Sequence, residues 1–200
     1  MSFWDERFSG EDYLFGETPN AFLASQADRL PKSGTALAIA DGEGRNGVWL
    51  AEQGLAVTSM DASPVGQAKA QKLAERRGVA ISTQLVDIAV YPWPPESFDV
   101  VAGIFFQFAG PDLRDQIFAG MARALKPGGL LIIEGYGLKQ LEYKTGGPGI
   151  PENLYTEALL AEKFSALEIL HLREHDTEIA EGSRHVGKSA LVDLVARKPV

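Results

Sequence analysis

The chain contains no cysteine. Disulfides, thiolate zinc sites, iron–sulfur clusters and cysteine nucleophiles are thereby excluded together. No apolar run approaches the roughly 20 residues that a membrane span needs. The opening stretch MSFWDERFSGEDYLFG has neither a basic n-region nor an apolar h-region, so it does not read as a signal peptide. Positive charge is also scarce, with 19 Lys and Arg against 27 Asp and Glu and a formal net charge of −8. A nucleic-acid binder needs a basic patch to neutralise phosphates. The densest basic group, Arg76-Arg77 after Glu75, falls at the end of a predicted helix, where cations suit the helix dipole. These absences leave a soluble, cytoplasmic protein with a small-molecule substrate, and neither a nucleic acid nor a membrane as partner. Nothing in the sequence speaks to oligomeric state.

What is present is an ordinary enzyme composition: 200 residues, 45% hydrophobic and 23% charged. One domain of this length buries about 70% of its unfolded surface. Residues 1 to 33 are rich in aromatics, with a predicted helix over Asn20–Leu30. Strands and helices then alternate. Strands are expected at Ala36–Ala40, Ala56–Met60, Ala80–Val86, Asp99–Phe105 and Leu130–Glu134. Helices are expected at Asn46–Gln53, Ser63–Arg77 and Leu113–Leu125, the last stopped by Lys126-Pro127-Gly128-Gly129. Ser63 and Pro64 open the second of these helices as cap and first residue. Such alternation predicts a parallel sheet with helices on both faces. The tail changes character: a helix at Thr156–Phe164, then strands at Leu167–Thr177 and Lys188–Arg197. The polar link Glu178–Gly187 makes these two an antiparallel hairpin. Tyr136–Asn153 reads as a long loop over the carboxyl edge of the sheet.

Between the first strand and the first helix lies ADGEGRNG, with Gly42, Gly44 and Gly47 spaced as G-x-G-x-x-G. Glycines there allow a sharp turn and close approach of a ligand, though a tight turn alone would also use them. Asp61 ends the second strand about twenty positions beyond Gly42, where a ribose-gripping carboxylate is expected. The pair favours a nucleoside cofactor. NAD and S-adenosylmethionine both use such an acid, so the choice falls to Asp41 and Glu43. Two charges 4 Å apart interact by about 4 kcal/mol at an effective dielectric near 20. A pyrophosphate would be repelled by these acids, whereas a sulfonium and an ammonium would not. The chain is also too short for the substrate domain that dinucleotide oxidoreductases add.

At these residues the sequence resembles the class I S-adenosylmethionine-dependent methyltransferases over nearly its whole length. The stretches that carry the resemblance are ADGEGRNGVWLA, VTSMDASPVGQAKA, QLVDI, FDVVAGIF and LKPGGLLIIEGY. G-E-G-R-N, WDERF…YLFGETPNAFL and EGSRHVGKSAL look like the tellurite-resistance (TehB-like) branch and its small bacterial relatives. The resemblance implies an α/β fold: a Rossmann-like doubly wound sheet of about seven strands, mostly parallel, with an antiparallel C-terminal hairpin. It implies one methyltransferase domain over 1–200, with 1–33 as a cap over the active site and 34–200 as the core. S-adenosyl-L-methionine is the implied cofactor, with no metal.

The same resemblance implies a site. Gly42 and Gly44 let the loop pass the methionine part of the cofactor, beside Asp41 and Glu43. Arg45 and Asn46 open the helix near its carboxylate. Asp61 takes the ribose hydroxyls and Ala62 lies by the adenine. Asp87 accepts from the adenine amino group, with Ile88 on the ring, while Ile104 and Phe105 face the methyl. Asp61 as a helix-capping residue and Asp87 as a turn residue are the competing readings. The family's usual Asp and Gly are replaced by Ala38 and Ala40, for which Asp41 is expected to compensate. Methyl transfer needs alignment more than a base, so the catalytic residues stay open, with His185, Arg184 and Tyr136 as candidates. A polar hairpin turn is the competing reading of Arg184 and His185. The aromatic N-terminus with Tyr13 and Phe15, Phe105–Phe108, and Tyr136–Pro148 with Tyr143 are expected to shape the acceptor pocket. His171 and His175 sit on a predicted strand, and their spacing makes no metal site. The function expected is in-line methyl transfer to a small acceptor, a chalcogen oxyanion or a thiol. An NAD-dependent oxidoreductase and a catalytically silent cofactor-binding protein are the alternatives.

Overall fold

The computed structural model describes residues 3–200; the two residues before them, part of the expected cap and signal-free N-terminus, lie outside it. The chain begins with α1 (Phe3–Phe8) and α2 (Ala21–Ser25), followed by a 3-10 turn at Ala27–Arg29. The helix expected over Asn20–Leu30 is therefore shorter. Asn20 caps α2 by accepting from the Leu23 N–H at 2.9 Å. Then come β1 (Thr35–Ile39), α3 (Arg45–Glu52), β2 (Ala56–Asp61), α4 (Pro64–Arg77), β3 (Ile81–Leu85), β4 (Phe98–Ile104), α5 (Pro111–Ala124) and β5 (Leu125–Tyr136). The remainder is α6 (Gln140–Tyr143), α7 (Glu157–Lys163), β6 (Glu168–Glu181) and β7 (His185–Arg197). Among the described residues, no helix is long and apolar enough to cross a membrane.

The seven strands form one sheet in the order β3-β2-β1-β4-β5-β7-β6. The first five run parallel; β7 is antiparallel to both β5 and β6. This is the doubly wound, Rossmann-like α/β sheet with an antiparallel hairpin. The side-chain period of two divides the core between its faces. Leu37 and Ile39 of β1 join Ile117, Phe118 and Met121 of α5 on one side. Ala36 and Ala38 join Val48 and Leu50 of α3 and Leu73 of α4 on the other. The small Ala36, Ala38 and Ala102 on that face leave room for the helices.

Three further stretches differ from expectation. Lys126-Pro127-Gly128-Gly129 is not a loop before the strand but its irregular start. Leu125 pairs with Phe98, the register shifts, and Leu130 pairs with Val100. Gly128 N–H also donates to Lys198 at 2.8 Å, so the stretch is held from both sides. The polar link Glu178–Gly187 shrinks to a three-residue turn, because β6 and β7 pair continuously from Glu168↔Arg197 to Glu181↔His185 apart from one bulge. Tyr136–Asn153 likewise holds the end of β5, α6 and a 3-10 turn at Pro151–Asn153.

The sheet order reverses between β1 and β4, where neighbouring connections leave toward opposite faces and open a crevice at the strands' carboxyl ends. The functional residues gather there.

Candidate active site

A cavity of about 700 Å³ lies over these carboxyl ends. Its floor is the turn after β1, where Ala40 (φ 46°), Gly42 (φ 55°) and Gly44 (φ 88°) are all left-handed. The non-glycine Ala40 is held there against its own preference. Gly44 is required twice: by its φ, and because a Cβ would collide with Ala70 of α4. Asp61 clamps this turn from β2. It accepts from Gly42 N–H at 2.9 Å and from Ser63 N–H at 2.8 Å. Burial raises its pKa against these bonds. Ser63, the cap of α4, in turn donates to Asp5 of α1 at 2.6 Å.

The two loop acids face the protein. Asp41 accepts from Ser59 Oγ at 2.6 Å and from Gly47 N–H at 3.1 Å. Burial pushes its carboxyl up to about 7 against those two bonds. Glu43 forms a buried ion pair with Lys69 of α4 at 2.5 Å and accepts from Leu14 N–H at 2.7 Å. Lys69 Nζ also donates to the carbonyls of Gly10 and Asp12 at 2.9 and 2.7 Å. Glu43 and Lys69 thus pin the N-terminal segment to the turn after β1.

The opposite wall comes from β4, β5 and the β6–β7 hairpin. Phe105, just past β4, is left-handed (φ 53°), and its N–H donates to Glu134 O at 2.9 Å. Strain of this kind persists where surrounding structure imposes it, commonly at functional sites. Its ring lies 4.4 Å from His185 and 4.7 Å from Tyr136, centroid to centroid. Phe15 closes on the other side of His185 at 4.5 Å. Arg45 crosses from α3 to Glu181 at 2.7 Å, and His185 Nδ1 is 3.9 Å from the same carboxylate. Burial works upward on Glu181, but His185 and the Arg45 guanidinium hold it down at about 2. Burial, with Arg45 nearby, lowers His185. Tyr136 is raised by burial and by Glu181 and Glu134. Three buried atoms here have no hydrogen-bond partner: Arg45 Nη1, Tyr136 Oη and His185 Nδ1.

Residues 36–129 match the family model described as a methyltransferase domain. They are a methyltransferase domain. That segment carries strands β1 to β4 and the start of β5 of the seven-stranded sheet, and the match supports an S-adenosylmethionine-dependent methyltransferase. Among solved structures, TehB from Haemophilus influenzae is 20% identical with a TM-score of 0.73, covering 98% of this chain and 66% of that one. A structure described as the conversion of a disulfide bond into a thioacetal group during echinomycin biosynthesis is 17% identical. Its TM-score is 0.78, covering 98% of this chain and 91% of that one. The [4+2]-cyclase SpnF is 19% identical with a TM-score of 0.69, covering 98% and 92%. Identities this low show the fold alone, and a cyclase among them shows that the fold also carries other chemistry. A search of the curated proteins finds no match. The match to the methyltransferase family favours methyl over hydride transfer.

Of the residues expected at the methyltransferase site, the cavity gathers Asp41, Gly42, Arg45, Asn46, Asp61, Ala62, Asp87, Ile88, Ile104, Phe105, Tyr136, Arg184 and His185. Glu43 and Gly44 are outside it, turned toward Lys69 and Ala70. The charge argument from Asp41 and Glu43 therefore loses its footing: one is bonded inward and the other neutralised. Asp41 borders the cavity, with its carboxyl bonded to Ser59 and Gly47. Asp87 also caps a short 3-10 turn by accepting from Ala89 N–H at 2.9 Å. His185 belongs to β7 and not to a hairpin turn; Arg184 is in the turn. Tyr13 and Tyr143 point away, to Lys69 O at 2.8 Å and Asp176 at 2.6 Å, while Phe15 and Phe105–Phe108 do line the chamber. His171 and His175 lie on β6, packed near Phe22 and bonded to Asp193. Phe8 of the aromatic N-terminus and residues 144–148 of the expected Tyr136–Pro148 segment border the cavity too, whereas Arg7 and Met60, which also border it, were missed. Periodicity gave no sign of them, since their segments reach the site through the fold and not through a repeat.

Proposed function

We propose that this methyltransferase acts on a small anionic or soft nucleophile, a chalcogen oxyanion or a thiol, by direct in-line displacement, with residues 3–33 as the cap of the site. One observation carries the acceptor reading. Four cations, Arg7, Arg45, Lys144 and Arg184, border the cavity, while its carboxylates Asp41 and Asp61 are already bonded around the glycine turn and Asp87 in its own 3-10 turn. In a chain of net charge −8, four cations gathered around one cavity favour an anion. Arg7, Lys144 and Arg184 are exposed and form no ion pair among the described residues.

The residues present fit the cofactor. Asp61 and Asp87 are carboxylates suited to hydroxyl and amino donors, Met60, Ile88 and Ile104 offer an apolar wall, and Arg45 Nη1 is a buried donor with nothing to serve. The bound cofactor supplies a methyl on a sulfonium, which the acceptor's lone pair takes as the carbon–sulfur bond breaks toward sulfur. Phe15, Phe105 and Tyr136 exclude water around His185, and aligning the reactants in such a chamber contributes roughly 7–11 kcal/mol. Arg184 and Lys144 hold the acceptor's negative charge. The Tyr136 phenol, kept protonated, serves as a donor and not as a base. Neutral His185 is the group that can take a proton when a thiol is the acceptor.

Calorimetric titration with S-adenosylhomocysteine on wild type and Asp61→Ala tests the cofactor site, with micromolar binding expected in the first and none in the second. Labelled methyl transfer to tellurite, selenite and small thiols then tests the acceptor. Arg184→Ala is expected to raise its KM about tenfold at unchanged S-adenosylhomocysteine affinity, the loss of roughly 1.4 kcal/mol. Binding without product from any of these compounds removes the acceptor reading and leaves the cofactor.

A further inference from the structure

Outside the cavity, the carboxylates of Glu134, Asp193 and Glu181 form one buried cluster, and its donors do not match three negative charges. Glu181 accepts from Arg45 at 2.7 Å, from Ala21 N–H at 3.1 Å and from Asn20 Nδ2 at 3.0 Å. Asn20 Nδ2 gives its other proton to Glu134 Oε1 at 2.5 Å. His175 Nε2 lies 2.7 Å from Asp193 Oδ2. Asp193 Oδ1 is left buried with no donor.

Glu134 of β5 and Asp193 of β7 sit directly opposite each other in the antiparallel register, so their side chains share one face at close range. Both are nearly inaccessible, at 3% and 5%. Two ionised carboxyls so placed repel each other in a dry site, and one shared proton removes both that repulsion and the orphaned oxygen. His175 Nε2 already bonds Asp193 Oδ2, and Asp193 Oδ1 has no donor, so Glu134 is the member that carries the shared proton and donates it to Asp193.

We propose that Glu134 is the protonated member of a Glu134–Asp193 acid pair and that, through Asn20, it positions Glu181 and hence Arg45 and His185 at the methyl-transfer site. Burial, then Asp193, raise its pKa well above the ordinary value, in the sense this requires. The titratable and charged groups facing it are Tyr136 on its own strand, Glu181 on β6 and Asp193 on β7, with the polar Asn20 before α2; His175 sits behind Asp193, and Arg45 and His185 behind Glu181. Glu134 does not border the cavity, so it is a positioning residue. Losing its proton would set a second uncompensated charge beside Glu181, on the amide of Asn20 that also bonds it. The inference rests on the methyl-transfer reading only for the importance of Arg45 and His185, not for the proton.

Three measurements test it. Infrared difference spectra of wild type against Glu134→Gln at pH 7 should show the C=O band of a protonated carboxylic acid. Glu134→Gln, which can donate to Asp193 and accept from Asn20, should bind S-adenosylhomocysteine within about twofold of wild type, whereas Glu134→Leu should lose about tenfold, the loss expected for one buried polar group left unpaired. Wild-type affinity should decline at the alkaline pH where Glu134 loses its proton, while that of Glu134→Gln does not. Absence of the acid band, or Glu134→Gln binding as poorly as Glu134→Leu, overturns the proposal. If wild type fails to bind S-adenosylhomocysteine, the cofactor reading fails instead, and the infrared band still decides the state of Glu134.

Discussion

Replacing Asp41 by Asn removes a titratable carboxyl from beneath the glycine turn while keeping its heavy-atom shape. Asn Oδ1 can go on accepting from Gly47 N–H, and Nδ2 can donate to Ser59 Oγ, which accepts as readily as it donates. The pH dependence changes instead. Asp41 titrates near 3.8 in the unfolded chain and at about 7 in the folded one. Between those values the native state holds a proton that the unfolded state has released, so stability falls as pH rises through the window. At 1.36 kcal/mol per pH unit, the full loss is about 4 kcal/mol. Asn titrates in neither state. The stability of Asp41→Asn relative to wild type should therefore be near zero at pH 4, climb by about 4 kcal/mol up to pH 7.5, and stay level above that. Urea unfolding followed by circular dichroism at half-unit pH steps gives this difference directly, provided the denaturant slopes of the two proteins agree. A difference that stays flat across the range would mean that Asp41 is ionised in the folded protein from the start, and the account of the turn would be wrong.

Two further substitutions probe the cap and the aromatic wall. Lys69→Met strands the buried Glu43 carboxylate and frees the carbonyls at residues 10 and 12; about 3–5 kcal/mol of stability should be lost. Limited proteolysis should then cut between residues 9 and 18, and adding Glu43→Gln should recover most of the stability; an unchanged unfolding midpoint would remove Lys69 as the anchor. Tyr136→Phe deletes a hydroxyl that has no partner, so stability should stay within about 1 kcal/mol of wild type or rise. Affinity for S-adenosylhomocysteine should hold while kcat/KM for the acceptor falls; an equal kcat/KM would take the phenol out of the reaction.

The order of strands and helices was legible in the sequence because buried parallel strands and their helices carry strong patterns: LLII at 130–133, or Ser63-Pro64 opening α4. The glycine turn and Asp61 were legible for the same local reason. The directions taken by Asp41 and Glu43 were not. Their partners, Ser59 and Lys69, belong to other elements, and spacing along the chain says nothing of which way a carboxylate turns. The hairpin was underestimated because β6 is an edge strand. Its solvent face is polar, so Glu178–Glu181 looks like loop until β7 pairs with it. Arg184 and His185 could be named from their resemblance to a family stretch. Glu134 could not: within LLIIEGY it looks like the polar end of a buried strand, and its role depends on Asp193 opposite and on Asn20 far upstream.

The place of β7 between β5 and β6 has a consequence for the time course of synthesis. β5 is complete at Tyr136, but its free edge has no partner until residues 185–197 arrive. While the ribosome is making the intervening stretch, the nascent chain carries an unpaired, apolar strand edge, the kind that seeks other chains. The segment that covers that edge emerges only after β6 has been made. It also brings His185 to the cavity and Asp193 to Glu134, so the protein acquires its shield and its chemistry in the same few seconds.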